Sequence, residues 1–329
     1  MLDQVLKVFG VTPDYDLDLM QPGQTLSQST SRIIAALEPI IAEARPDIVL
    51  VQGDTTTTFC GALAAFYQQV PVGHVEAGLR THDLLQPFPE ELNRVLTGRI
   101  AGLHFAATAS AAANLAAEGV DPKTVFVTGN SGIDAVLQIR DRLSSGDLPE
   151  TVYSWRDPEK KLILVTAHRR ESFGAGIESI CEGVRRLAAR GDVQIVYPVH
   201  RNPLVVGPVH QMLENQQNVY LIEPLEYVPF VELMRASHLL ITDSGGVQEE
   251  GPSLGKPVLV TREKTERPEA VQVGTAVLVG PDENRIFEQA SLLLNDPVEH
   301  HRRSLVHNPY GDGRASERIA VAIHSFFRR

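Results

Sequence analysis

Asp54 closes the apolar run Ile48, Val49, Leu50, Val51, and Glu76 closes a second run that begins at Val70. Two acids delivered to one crevice by neighbouring strands suit proton transfer, because each carboxylate raises the other's proton affinity and one can stay protonated near neutrality. A second group lies later in the chain. Asp243-Ser244-Gly245-Gly246 ends another apolar run and leads into Val247-Gln248-Glu249-Glu250. A strand, a Ser-Gly-Gly turn and a helix start offer bare amides and a hydroxyl to a phosphate oxygen, with the helix dipole in support. Glycine is needed there because a Cβ would hold the ligand off. Glu250, one turn further, would repel phosphate but can accept hydrogen bonds from ribose hydroxyls, so the pairing suits a nucleotide. Arg267 follows the next strand and is a candidate countercharge for a diphosphate. His168, beside Arg169 and Arg170, and His200 both end strands. Each has a plainer reading. Asp54 can cap the helix after it, Glu76 can be a solvated loop carboxylate, and Glu90 and Glu91 suit the first turn of a helix. Arg267 can make a surface salt bridge, and strand-end histidines are commonly structural.

These residues need strands whose carboxyl ends meet at one sheet edge. Residues 47–80 read as strand, turn, helix, strand: Gly53 ends the first strand, Thr55 or Thr56 caps a helix carrying Phe59, Leu63 and Phe66, and Pro71 signals the next strand. That is a right-handed βαβ unit, whose strands point their carboxyl ends into the ligand crevice. Residues 1–10 place Leu2, Val5, Leu6 and Phe9 on one helical face, and residues 11–24 suggest a short strand or extended piece. Leu26–Ala44 reads as a long amphipathic helix containing Pro39, a helix starts near Pro89, and Leu103–Ala106 and residues 125–128 read as strands. Residues 129–132 make a turn opening the helix over 134–143, and polar residues 144–161 read as a linker. The second half repeats the alternation, with strands over 162–166, 193–199, 219–222, 238–242 and 257–260 and a last helix over Ala315–Phe327. The expected fold class is α/β: two doubly wound Rossmann-like domains of glycosyltransferase-B type, with the active site in the inter-domain cleft. The expected boundaries are 1–145 and 146–308, with a terminal helix in 309–329 packing back across the junction.

The chain has 329 residues, of which 43% are hydrophobic, enough for two cores. A net charge of -11 argues against a nucleic-acid footprint, which needs clustered Lys and Arg. No run approaches the ~18 apolar residues of a membrane span, and no signal-peptide pattern opens the chain, so the expected location is cytoplasmic. Cys60 and Cys181 fall on apolar faces of predicted helices, as buried thiols, and no Cys/His spacing suggests zinc.

The segments GDTTTT, GHVEAGLRT, PFPEELNR, TAHRRE, YPVH, TDSGGVQEEGPSLGKPVL, TERPEAV and NPYGDG stand in an order and spacing that resembles the non-hydrolysing UDP-N-acetylglucosamine 2-epimerases, across essentially the whole chain. The resemblance implies inversion at C2 of UDP-GlcNAc to give UDP-ManNAc, by removal of the C2 proton, departure of UDP from C1, and re-protonation on the other face as UDP adds back. It implies Asp54, Glu76 and Glu90 as acid/base carboxylates and His168 beside the diphosphate. Ser244, Gly245, Gly246, Glu250, Arg267 and Phe230 match residues that hold UDP. Gln24, Arg169 and His200, with Glu90 again, match positions that hold a second UDP-GlcNAc as activator. No metal or other cofactor is implied, and a homodimer is. The family's opening strand and Gly-Thr-Arg-Pro-Glu turn do not occur in this sequence, and from that the chain as given is expected to be poorly stable or inactive. Within the family the alternative substrate is a UDP-2,3-diacetamido-uronic acid. A sugar-nucleotide-binding protein without activity and a glycosyltransferase of the same architecture are the readings from other classes.

Overall fold

The structure, a computed structural model, describes residues 2–305 and 308–328. Helix α1 (Leu2–Phe9) comes first, then residues 11–24, for which the sequence suggests a short strand or an extended piece, and which form no strand. Asp14, Asp16 and Asp18 alternate with its apolar residues and favour local bonds over a ladder; Asp18 N–H donates to Asp16 Oδ1 at 3.3 Å. The chain continues through α2 (Leu26–Ala44), β1 (Val49–Gln52), α3 (Thr56–Tyr67), β2 (Val72–Ala77), α4 (Glu90–Ile100), β3 (Leu103–Ala106), α5 (Ala109–Ala117), β4 (Val125–Val127) and α6 (Ser131–Ser145). Helix α2 starts with a capping box between Thr25 and Gln28, and α3 is capped by the Thr55 hydroxyl, which accepts the N–H of Thr58. Then come β5 (Lys161–Thr166), α7 (Ala175–Ala188), β6 (Val193–Pro198), α8 (Pro203–Leu213), β7 (Val219–Ile222), α9 (Tyr227–Ala236) and β8 (Leu239–Thr242). The last elements are α10 (Gly245–Ser253), β9 (Val258–Val260), α11 (Pro268–Val273), β10 (Ala276–Leu278), α12 (Glu283–Asn295), α13 (Pro297–Ser304) and α14 (Ala315–Phe327).

Two compact units result. One comprises Val11–Asp134 and Tyr310–Arg329 and holds a parallel sheet in the order β1-β2-β3-β4. Helix α14 closes this unit: Ile319 and Ala322 pack with Val75, Leu103 and Phe105, and the Asp134 carboxylate accepts the N–H groups of Ala315 and Ser316 at 3.0 and 2.7 Å. A carboxylate from another helix thus supplies the cap that Arg314 does not. Gly78, just past β2, has φ +89, and a Cβ there would lie 2.2 Å from Ala111 O, so only glycine lets the strand end run against α5.

The other unit comprises Met1–Gly10 and Ala135–Pro309. Helix α1 belongs here because Phe9 packs on Tyr227, Gln4 Nε2 donates to Glu226 Oε1 at 2.7 Å, and Arg142 Nη1 donates to Val8 O at 2.8 Å. Its parallel sheet runs β10-β9-β8-β5-β6-β7. Ile163, Val165, Ile195, Tyr197 and Ile241 of the strands, Ile177, Ile180 and Val184 of α7, and Ile286 and Leu293 of α12 form one buried cluster. Near-continuous aliphatic strands are what helices packed against a parallel sheet require. The strand order reverses between β5 and β8, and the crevice outside the carboxyl ends at such a reversal is where open α/β sheets bind ligands.

Candidate functional site

In the unit built from Val11–Asp134, β1 and β2 pair in register up to Gln52 and Val75, so Asp54 and Glu76 follow at adjacent strand ends. The Gly53 N–H donates to Val75 O at 3.0 Å, and a Cβ at Gly53 would sit 3.4 Å from Glu76 Oε2, so the Glu76 carboxylate lies over the Gly53 turn. Glu76 itself has φ +65, a left-handed conformation, where the β2–β3 register shifts between Val75 and Ala77. A bulge with a non-glycine residue at positive φ costs stability and re-aims one side chain, a pattern that clusters at functional sites. Asn130 Nδ2 donates to Glu76 Oε1 at 3.4 Å.

Helix α4 holds the other acid. Arg94 Nη2 lies 2.8 Å from Asp54 Oδ2, and Asn93 Nδ2 donates to Asp54 O at 2.9 Å. Glu91, which is buried, sits 3.4 Å from Arg94 Nε and accepts the N–H groups of Thr81 and His82 at 3.0 Å each. Glu90 begins the same helix, half-buried, one turn before Arg94. Beneath these groups His74 is fully buried against Gly53 O at 2.8 Å. Burial pushes its imidazole down to about 4, with the nearby charges of His104, Arg80 and Arg94 acting in the same direction, so it stays neutral.

In the other unit, His168 and Arg169 follow β5, and Asp243 and Ser244 follow β8, at the reversal point of the sheet. The Thr166 and Thr242 hydroxyls meet at 2.6 Å and Asp243 N–H donates to Thr166 O at 3.0 Å. Asp243 Oδ2 accepts the N–H groups of both His168 and Arg169 at 2.7 Å. The rings of His168 and His200 stack at 5.3 Å and 14°. Helix α10 starts at Gly245 behind Ser244, whose N–H donates to the Thr242 hydroxyl. A Cβ at Gly245 would meet Arg267 Nη1 at 2.5 Å and Glu266 Oε1 at 3.1 Å, so this glycine makes room for an ion pair of the chain itself; Gly246 is exposed. Arg267 is not on the open surface: its Nε pairs with Glu249 and its Nη1 with Glu266. Glu250 is half-buried yet densely surrounded, and burial pushes its carboxyl up to about 7, with the neighbouring Glu249 adding to the rise and Arg267 opposing it. Phe230 is half-buried in α9.

Asp54, Glu76, Glu90 and Gln24 therefore fall in one unit, and His168, Arg169, His200, Phe230, Ser244, Gly245, Gly246, Glu250 and Arg267 in the other. Gln24 is tied by Arg32, whose Nη1 donates to its Oε1 at 3.2 Å. The sequence reading gives no site role to Arg94, Asn93, Asn130 or Glu266, and it names Asp243 and Glu249 only as members of the Ser-Gly-Gly segment and Glu91 only as a first-turn acid. Arg94, Glu91 and Asn93 share the PFPEELNR segment with Glu90; the buried face of that helix is its polar one, with Leu92 and Leu96 exposed, so hydropathy carries no signal for them. Among the described residues no cluster of three or more His, Cys, Asp or Glu side chains is arranged for a metal ion, and no helix is long and apolar enough to cross a membrane.

Two parallel α/β units, one with a Ser-Gly-Gly helix start at a sheet reversal and one with acids at adjacent strand ends, define an α/β protein of the glycosyltransferase-B kind. The family model for UDP-N-acetylglucosamine 2-epimerase matches residues 1–324, and the chain belongs to that family. It is 56% identical to the UDP-N-acetylglucosamine 2-epimerase of Escherichia coli (strain K12) over 328 residues, 98% of this chain and 87% of the other. The UDP-GlcNAc 2-epimerase from Neisseria meningitidis, solved bound to UDP-GlcNAc, superposes with a TM-score of 0.93 at 45% identity, covering 100% of this chain and 89% of that one. S. aureus MnaA, solved with UDP, gives 0.92 at 46% identity, covering 100% and 87%.

Proposed function

We propose that this protein interconverts UDP-GlcNAc and UDP-ManNAc. The observation that carries the reading is the pair of acids at adjacent strand ends, one bound by a buried arginine and the other raised on a left-handed bulge. A carboxylate takes the C2 proton, the C1–O electrons pass to the diphosphate oxygen, and UDP leaves a bound glycal. UDP then adds back to C1 while a proton enters C2 from the opposite face. Asp54, Glu76 and Glu90 serve as the acid/base set, and His168 donates a proton to the departing diphosphate. Ser244, Gly245 and Gly246 take phosphate oxygens, Glu250 the ribose hydroxyls, and Phe230 packs on the nucleoside. Arg267, already paired with two carboxylates, contributes by holding the start of α10 in place. Gln24, Glu90, Arg169 and His200 bind a second UDP-GlcNAc as activator, and the protein acts as a cytoplasmic homodimer.

Incubation with UDP-GlcNAc in deuterated water tests this, read by NMR. Deuterium must enter C2 as UDP-ManNAc forms; product without C2 exchange, or exchange confined to other positions, rules the mechanism out. A glycosyltransferase or a simple binder would leave the C2 hydrogen in place.

The assignment of Glu250 makes a second prediction. Ribose hydroxyls donate to the ionised carboxylate better than to the acid, and this carboxyl is raised to about 7. UDP affinity in the native chain should therefore weaken as pH falls from 8 to 6, by roughly tenfold beyond the change seen in Glu250→Gln. Calorimetric titration of both proteins isolates the difference from the diphosphate's own protonation. Parallel slopes would remove Glu250 from the ribose contact.

A further inference from the structure

Asp243 is fully buried, at 0% exposure, and among the described residues the basic group paired with it is His168. Its Oδ2 is saturated by the two consecutive amides of His168 and Arg169. Its Oδ1 has no hydrogen-bond partner among the described residues and faces His168 Nδ1 at 3.4 Å. A buried carboxylate with an unspent oxygen is costly unless that oxygen serves a group whose charge comes and goes. The backbone on both sides is fixed as well: Tyr197, also fully buried, donates its hydroxyl to Ala167 O at 2.8 Å, and Asp243 N–H is bound to Thr166 O.

We propose that Asp243 is the positioning residue of His168. One oxygen sets the backbone of the loop after β5, and the other selects the imidazole form that carries a proton on Nδ1 and turns Nε2 away from the sheet. The inference rests on the role given to His168 above. As the C1–O bond breaks, its electron pair goes to the diphosphate oxygen and the Nε2 proton follows. The ring is left neutral with its Nδ1 proton still facing Asp243, and it recovers the Nε2 proton when UDP adds back. The groups that face the ring are Asp243 from the end of β8, His200 from the loop after β6, and Arg169 from its own loop. Burial depresses the proton affinity of His168, Asp243 raises it, and His200 and Arg169 lower it further. Removing the Asp243 charge therefore leaves the ring less protonated at neutral pH.

In the full chain, Asp243→Asn should lower kcat by ~10²-fold or more, because an amide N–H now faces Nδ1 and selects the other tautomer. The alkaline limb of kcat/KM should move to lower pH by ~1 unit, while UDP affinity stays within about threefold. In the His168→Asn background the same substitution should add little. An unmoved limb, or losses that multiply in the double variant, would overturn the proposal. The native chain gives an independent readout should the variant not fold: 15N chemical shifts of labelled histidine, assigned with His168→Asn, must show His168 protonated on Nδ1. A ring protonated on Nε2 alone would overturn it too. If the native chain fails to exchange C2 hydrogen, the epimerase reading falls, and the tautomer still decides what Asp243 does.

Discussion

Asp54→Asn should lower deuterium incorporation at C2 of UDP-GlcNAc by about 10³-fold, within the ~10² to 10⁴ that a positioned acid or base contributes, and leave UDP binding nearly unchanged. The binding residues proposed for UDP belong to the unit of Ala135–Pro309 and are untouched by the change. Asparagine keeps the shape of the strand end and the carbonyl that Asn93 holds, and it can still turn its oxygen toward Arg94. Proton acceptance is what disappears. Arg94 retains Glu91 at 3.4 Å, so the substitution leaves no buried guanidinium without an anion and should cost little stability. Arg94→Met reports the complementary loss, because it keeps the carboxylate and removes what orients it; that variant should lose less exchange than Asp54→Asn. The proton-transfer role is refuted if Asp54→Asn keeps more than about a tenth of the native exchange rate while remaining folded, since no general base contributes so little.

The same region shows what could be read from the sequence and what could not. The βαβ unit over residues 47–80 was legible because its apolar runs, its threonine cap and Pro71 are all local signals, and the structure has β1, α3 and β2 there. Strand Leu103–Ala106 and helix Ala315–Phe327 are legible to the residue for the same reason. Helix α8 is not, because Pro203, Gly207 and Pro208 argue against a helix from within; Pro203 stands at its start, where the missing N–H is harmless, and burial of Val205, Val209 and Leu213 decides the matter. Helices α12 and α13 do carry local signals, the caps Asp282 and Asp296, Pro297 at the start of α13, and Ile286, Ala290 and Leu293 at helical spacing in α12, although they are missing from the elements read above. At the site, residue types pointed to Asp54, Glu76 and the Ser-Gly-Gly turn. The left-handed bulge at Glu76, the Arg94–Asp54 pair and the Asp243 bonds to the loop after β5 depend on strand register, which one sequence does not display. Gly245 is instructive in another way: its pattern suggests room for a ligand, and the neighbour that needs the room is Arg267.

Arg267→Met should destabilise the Ala135–Pro309 unit by about 3 to 5 kcal/mol at neutral pH, the usual cost of removing one partner from a buried ion pair. Arg267 is one of two arginines in a chain of five charges centred on Glu266. Glu171 pairs with Arg262 at 2.6 Å, Arg262 with Glu266 at 2.8 Å, and Arg267 with both Glu266 and Glu249. Glu249 and Glu266 are nearly inaccessible, at 2% and 7% exposure, so water cannot replace the lost guanidinium. Burial alone would raise the Glu266 carboxyl, but Arg267 and then Arg262 overcome it and hold it down to about 2. A carboxyl depressed in the folded state adds stability that is fully present above its unfolded value and is lost as pH falls through its folded one. For Glu266 the window runs from about 4.5 down to about 2 and is worth on the order of 3 kcal/mol. The destabilisation caused by Arg267→Met should therefore shrink between pH 5 and pH 3, as the stranded carboxylates take up protons. Trp155 is the single tryptophan of the chain and stacks on Tyr220 within this unit, so its fluorescence during urea unfolding follows the unit of interest. A deficit below about 1 kcal/mol at neutral pH would reduce these pairs to the level of exposed ones, and a deficit that persists unchanged at pH 3 would trace the loss to packing instead of charge. Because Arg267 also holds the Glu250 carboxyl down, the variant should need a higher pH than the native chain to reach its full affinity for UDP.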